Sequence, residues 1–224
     1  MVFKLNNEIV FPDPTLAEPD GLLAIGGDLS IERLLLAYSY GIFPWYSFRD
    51  CHEPLWYCPH DRFVIFPNEI HVSHSMRTFL RNTTYEVSID KAFEEVINQC
   101  SLERIEESGA WLGKDMIEAY TDLHKHGFAH SVEVWDNGSL TGGLYGVQIA
   151  DCFFGESMFS KGSNTSKMAL ITLANLLKGK THSFIDCQFE TRHLKNMGGR
   201  HISYDKYMEI FNKSKSESLN AIMS

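Results

Sequence analysis

Two short apolar stretches each carry an acid in the middle, and nothing else in the chain restricts its fold as much. Asp151–Lys167, DCFFGESMFSKGSNTSK, holds Glu156; Phe184–Gln188, FIDCQ, holds Asp186. Both contain apolar runs bounded by polar and glycine turns and too short for a helix, so they read as buried strands. A carboxylate inside such a strand costs several kcal/mol unless something pairs with it or uses it. Two such acids flanking one helix point to a working site. The plainer alternative is that each acid sits at a strand end, solvated or tied to a buried arginine.

The 224 residues suit one large domain, or a medium one with a small extra lobe, and 44% hydrophobic content supplies a real core. No apolar run reaches the ~18 residues of a membrane span, and MVFKLNNEIVF lacks the pattern of a signal peptide. Five cysteines, an odd number with no C-x-x-C pair, read as reduced thiols. The expected location is the cytoplasm. A net charge of −9 argues mildly against nucleic acid, but the charge is uneven. Ten acids face three bases between Glu86 and Asp122. From Ser160 to Arg200, seven bases (Lys161, Lys167, Lys178, Lys180, Arg192, Lys195, Arg200) face Asp186 and Glu190. That basic flank suits a polyanion, or is an ordinary solvated surface.

Residues 1–62, with six of the seven prolines, read as a small N-terminal lobe, and 63–224 as the main domain. The lobe has one clear helix, capped by Ser30 and stopped at Gly41, and an aromatic cluster (Phe43, Trp45, Tyr46, Trp56, Tyr57) in loop-like sequence. The main domain alternates strands and helices. FVIF is a strand, Ser73 caps a helix, YEVSI is a strand, and Asp90 caps another helix through Cys100. Residues 101–110 read as an acidic loop, and Met116–Leu123 marks a helix. HSVEVW and SLTGGLYGVQIA form a hairpin about Asn137-Gly138, and CFFGESMF adds a third antiparallel strand. A helix to Leu177, the FIDCQ strand, a short helix near His193 and an amphipathic piece at Tyr207–Phe211 complete the pattern, with a frayed tail after Lys213. The predicted class is α+β: a mixed, largely antiparallel sheet flanked by helices, with the element order of GNAT-type acetyltransferases.

Several motifs fail on inspection. Gly179-Lys180-Thr181 lacks the earlier glycine of a P-loop, and Gly142, Gly143 and Gly146 suggest close backbone approach rather than a dinucleotide turn. His124, His126 and His130 fit no metal spacing on one element, so no metal is expected.

Six blocks in collinear order carry a resemblance: EPDGLLAIGGDLS (18–30), GIFPWYS (41–47), HSVEVW (130–135), GGLYGV (142–147), FFGESMFS (153–160) and IDCQ (185–188). Together they resemble the leucyl/phenylalanyl-tRNA–protein transferase family from about Phe11 to Tyr207. Departures fall at Tyr57, Cys58, Ala110 and Arg192, away from the acids. The resemblance implies a two-lobed, GNAT-like enzyme without a cofactor. It would move Leu or Phe (also Met) from aminoacyl-tRNA to proteins beginning with Arg or Lys, marking them for N-end-rule degradation.

By the same resemblance, Asp186 takes the proton released as the amine attacks, and Gln188, two residues on along the strand face, positions that amine. Glu156 holds the ammonium of the aminoacyl group. The side-chain pocket is expected from Phe153, Met158, Leu144, Leu170, Ile185 and Cys187, which lie on the elements that carry the acids. Trp45 and Trp111 match the family's rings for the terminal adenosine, and Lys161, Lys167, Lys178, Lys180, Arg192 and Lys195 would meet the tRNA backbone. Two rivals remain at this stage. One is a coenzyme A-dependent N-acetyltransferase, for which the turn Ser160–Asn164 offers a single glycine. The other is a non-catalytic adaptor for basic N-termini.

Overall fold

The computed structural model describes residues 2–45, 53–107 and 113–223. In chain order the elements are β1 (Phe3–Leu5), β2 (Leu22–Gly26), α1 (Ile31–Ser39), β3 (Phe43–Trp45), β4 (Leu55–Tyr57), β5 (Asp61–Ile65), α2 (His74–Asn82), β6 (Glu86–Ile89), α3 (Phe93–Glu107), α4 (Lys114–Lys125), β7 (Ala129–Asp136), β8 (Ser139–Ile149), β9 (Cys152–Ser160), α5 (Thr165–Leu176), β10 (Ile185–Asp186), α6 (Arg192–Asn196), β11 (Arg200–Ser203) and α7 (Tyr204–Met223). A four-stranded sheet has the order β1-β2-β4-β3, and a seven-stranded sheet β11-β5-β10-β9-β8-β7-β6. In the larger sheet β10 runs parallel to β9, and the other pairings are antiparallel. The fold is thus α+β, with the expected meander, helix and returning strand in β7–β8–β9, α5 and β10.

The hairpin turn forms where sequence placed it, because Asn137 and Gly138 both adopt positive φ (48° and 78°), as a type I′ turn requires. Ser30 and Ser73 cap α1 and α2 through their hydroxyls. Four expectations are corrected. In the aromatic region of the first lobe, Phe43, Trp45, Trp56 and Tyr57 lie in strands, not loop: β3 and β4 pair, and Trp56 is fully buried with its indole N–H donating to Gly26 O at 2.8 Å, while Tyr46 lies outside the described residues. Asp90 does not cap α3. It has φ 57° and accepts from the Ser131 N–H (2.8 Å) and His130 Nδ1 (2.7 Å), while the Ala92 N–H is met by Glu133. Residues 101–107 are helical, since Leu, Glu and Arg propagate α3 and neither Gly nor Pro interrupts it there. The tail is not frayed either. α7 continues to Met223, with Ser214 buried and accepting from the Asp151 N–H at 3.1 Å, and Glu217 on His182 at 2.7 Å.

One apolar cluster runs from Leu34, Tyr38 and Trp56 to Ile97, Tyr120, Phe154 and Phe211, so the first 62 residues share a core with the rest. A second lies under α5, around Val132, Leu144, Phe153, Leu170 and Ile185. Among the described residues, no helix is long and apolar enough to cross a membrane. Close approach of α5 to β8 depends on Gly142, where a Cβ would stand 2.4 Å from the Thr165 Cβ. A Gly142→Ala protein should therefore lose about 1–3 kcal/mol of stability, read as a lower denaturant midpoint with an unchanged m-value.

Candidate functional site

The site begins where two parallel strands stop pairing. Ile185 and Asp186 of β10 register with Phe153 and Phe154 of β9, and the described ladder ends there. On its other side, β9 carries one residue more than β8: Tyr145 opposes Ser157 and Gly146 opposes Gly155, leaving Glu156 unopposed. Such a bulge breaks the alternation of side chains and re-aims the extra residue. A cavity of about 530 Å³ opens beside it, lined by Glu156 and Ser157 of β9, by Asp186, Gln188 and Phe189, and by Trp45 of β3. Both acids flagged in the sequence are among the residues around this one space.

Their environments differ. Glu156 is half-buried, and its two oxygens meet two tyrosines from different helices. The Tyr38 hydroxyl of α1 is hydrogen-bonded to Oε1 at 2.6 Å, and the Tyr120 hydroxyl of α4 to Oε2 at 2.9 Å. The two phenol oxygens are themselves 2.5 Å apart. Burial is the largest influence on Glu156 and lifts its pKa to about 7, against the pull of the tyrosine hydroxyls.

Asp186 has no exposed surface. Its Oδ2 is paired with the guanidinium of Arg62, also fully buried, and accepts from the Tyr207 hydroxyl at 3.0 Å. Its Oδ1 accepts the backbone N–H of Gln188 at 2.9 Å. That last bond corrects the sequence reading of Gln188. β10 ends at Asp186, and Gln188 lies at φ 57° in a turn closed by the carboxylate, not two places on along a strand face. An aspartate capturing the N–H two residues on is a common way to leave a strand. For Asp186, the plainer alternative of a buried arginine partner describes what is seen.

Leu144, Phe153, Met158, Leu170, Ile185 and Cys187 all line the cavity. Trp45 stands at the rim, 36% exposed, with its ring 5.3 Å from that of Phe189. Trp111 lies outside the described residues. The basic residues do not form one group. Lys161 and Lys167 bracket the start of α5, and Arg192 and Lys195 lie on α6, whose His193 and Leu194 line the cavity. Lys195 is paired with Glu190 at 2.8 Å. Lys178 and Lys180 follow the other end of α5, about 18 Å along the axis from Ser166, and Lys180 pairs with Asp151 at 3.2 Å. Arg62, Tyr207, Tyr38 and Tyr120 were not singled out in the sequence. Each reads locally as a core or strand-edge residue, and only long-range contacts reveal its partner.

The family profile described as "Leucyl/phenylalanyl-tRNA protein transferase" matches residues 64–212, and that of its "N-terminal domain" matches residues 27–60. The chain is 51% identical over 215 residues to the leucyl/phenylalanyl-tRNA–protein transferase of Syntrophus aciditrophicus (strain SB), covering 95% of this chain and 89% of that protein. It is 47% identical to the protein of the same name from Flavobacterium psychrophilum, over 93% of this chain and 99% of that one. Among solved structures, a GCN5-related N-acetyltransferase-like protein from Streptococcus suis aligns over 80% of this chain and 68% of that one. The TM-score is 0.38 and the identity 12%.

Two stability measurements follow from these environments. Glu156 binds its proton more tightly folded (about 7) than in an unfolded chain (4.5), so its contribution is full below pH 4.5 and is lost as pH rises through 7. Glu156→Gln should match the parent at pH 4.5 and exceed it at pH 8 by up to about 3 kcal/mol in chemical denaturation. Asp186→Asn should instead destabilise by about 3–5 kcal/mol at neutral pH, because Arg62 would stay buried without its counter-charge.

Proposed function

The chain belongs to the leucyl/phenylalanyl-tRNA protein transferase family, and from that premise we propose that it transfers Leu or Phe from aminoacyl-tRNA to the N-terminal amine of proteins that begin with Arg or Lys. The observation that carries this reading is the convergence of Glu156, Gln188, six apolar side chains and Trp45 on one cavity beside the strand gap. An acceptor tagged in this way would be directed to degradation, and the reaction would run in the cytoplasm.

An aminoacyl ester is already activated, so the enzyme has mainly to align an amine with its carbonyl carbon. The acceptor's N-terminal amine, with an ordinary pKa of ~7.7–8.0, is neutral often enough to need only weak help. In this reading the donor's side chain enters the space between Leu144, Phe153, Met158, Leu170, Ile185 and Cys187, and its α-ammonium meets Glu156. The terminal adenosine stacks on Trp45, with Trp111 as the second ring, and Lys161, Lys167, Arg192 and Lys195 face the acceptor stem. Gln188 holds the attacking amine. Asp186 serves the reaction through Gln188, whose turn it fixes, and the family resemblance also assigns it the amine's proton. Its oxygens already take three donors, so the turn is the role the geometry favours. One methyl group in such a pocket is worth ~1–3 kcal/mol, which makes selection against Val and Ile moderate. A coenzyme A reaction gains no support from the single-glycine turn at Gly162, and an adaptor has no use for the ring at the rim.

Incubation with labelled Phe-tRNA and an Arg-initiated peptide should put label into the peptide. Acetyl-CoA turnover without aminoacyl transfer would replace this reading with the acetyltransferase one. Trp45→Ala should raise KM for Phe-tRNA about tenfold while leaving the melting curve in place. An unchanged KM would return Trp45 to a packing role.

A further inference from the structure

The side chains of Glu156, Tyr38 and Tyr120 form a closed triangle of three contacts among four oxygens, and with Glu156 ionised the protons do not suffice to fill it. Three contacts of 2.6, 2.9 and 2.5 Å each need one proton to be hydrogen bonds. The two phenols supply two. Burial, followed by the neighbouring carboxylate, raises both phenols well above their ordinary range, so neither hydroxyl is ionised near neutrality. With Glu156 ionised, one side of the triangle would set two lone pairs face to face at hydrogen-bond distance. With Glu156 protonated, each of the three side chains donates once around the ring, the second carboxyl oxygen only accepts, and every contact is satisfied.

The surroundings favour the filled ring. The ionisable groups facing Glu156 are Tyr38 from α1, Tyr120 from α4, Tyr145 from β8, Asp186 from β10 and Arg62 from β5. The guanidinium of Arg62 is already engaged by Asp186, and it also donates to Gly41 O at 2.6 Å. No cation among the described residues pairs with Glu156 directly. Glu156 is nevertheless only partly buried and lines the cavity, which opens a way for a ligand to it.

We propose that the empty site stores one exchangeable proton in the Glu156–Tyr38–Tyr120 ring and that the α-ammonium of the aminoacyl donor takes its place, so that donor binding releases a proton to solvent. This rests on the reading of the cavity as the donor site. The step balances simply. The Glu156 O–H bond breaks, its proton leaves to bulk water, and the carboxylate receives the ammonium, which keeps its own three hydrogens. Tyr38 and Tyr120 then each donate to one carboxylate oxygen, and their mutual contact opens. The tyrosines act as positioning residues: they hold a carboxyl group that is neutral while empty and anionic once a cation arrives. A neutral, ring-closed carboxyl has little attraction for stray metal ions or lysine side chains, and that gives the device a use in selection.

The test is calorimetric titration of the full chain with an amide-linked phenylalanyl-adenosine analogue, in buffers of different ionisation enthalpy. With the carboxyl titrating near 7, about 0.9 proton should be released at pH 6 and about 0.1 from this group at pH 8. The N-acetylated analogue, which has no ammonium, should release none. Glu156→Gln closes the ring permanently with its own N–H; it should stay folded, bind the analogue at least tenfold more weakly and release no proton. An infrared carboxylic-acid band present in the parent at pH 6 should vanish on binding and be absent from Glu156→Gln. In Tyr38→Phe/Tyr120→Phe the same band should move to higher wavenumber, as expected of a carboxyl group whose carbonyl has lost its hydrogen-bond donor and whose O–H has lost its acceptor. Binding at pH 6 without proton release, or a band unmoved in the double variant, would overturn the proposal. Loss of the proton coupling with peptide transfer intact would leave the function standing, whereas absence of transfer would remove the premise itself.

Discussion

The ion pair between Arg62 and Asp186, with both side chains fully buried, is the interaction around which the rest is arranged. It spans β5 and β10, and each partner reaches further. Arg62 donates to Gly41 O after α1 and lies against the rings of Phe43 and Tyr207, 5.2 and 4.6 Å from their centroids. Asp186 takes the Tyr207 hydroxyl and fixes the turn at Gln188. Removing two charges from water is costly, and a buried pair seldom repays that by attraction alone. What it supplies here is position. First lobe, central strand, terminal helix and the turn into the cavity all meet on one guanidinium–carboxylate contact. A well-packed apolar replacement could hold these elements together but would give Gln188 no reason to leave the strand where it does.

The fold was legible wherever the signal was local. Short strand-like runs gave β6 to β9, serine caps gave the starts of α1 and α2, and Asn137-Gly138 gave the hairpin. It was illegible where tertiary contacts decided. The terminal SKSESLNAIMS has no strong apolar face, yet it is helical, anchored by Ser214 on Asp151 and Glu217 on His182. β3 and β4 were hidden by prolines and by separation along the chain, since such pairing leaves little mark in either strand alone.

The rule that located the site also has a counterexample. Glu133 sits in the middle of HSVEVW, fully buried, as suspicious by the same logic as Glu156. It accepts from the hydroxyls of Ser131 and Ser88, each at 2.5 Å, and from the Ala92 N–H at the start of α3. Its work is to tie a helix end to the sheet. Sequence cannot separate these cases, because an acid that caps and an acid that binds differ only in whether a cavity lies beside them. The six apolar residues of the pocket were found because they share elements with the acids. Arg62 and the tyrosines were missed because their partners stand 21 to 145 positions away in the chain.

Glu156 occupies a surplus position in its strand, and that has a bearing on how such a centre is built. Phe153 and Phe154 before it, and Met158 and Phe159 after it, keep their own registers with β8. The β8–β9 register on either side therefore does not depend on what the extra residue carries. Excising that single residue would mend the ladder and yield a silent sheet of ordinary pleat, and inserting one is the reverse operation. Reactivity of this kind can be spliced into a finished sheet without shifting its ladder, provided that the helices packed on it supply partners such as Tyr38 and Tyr120.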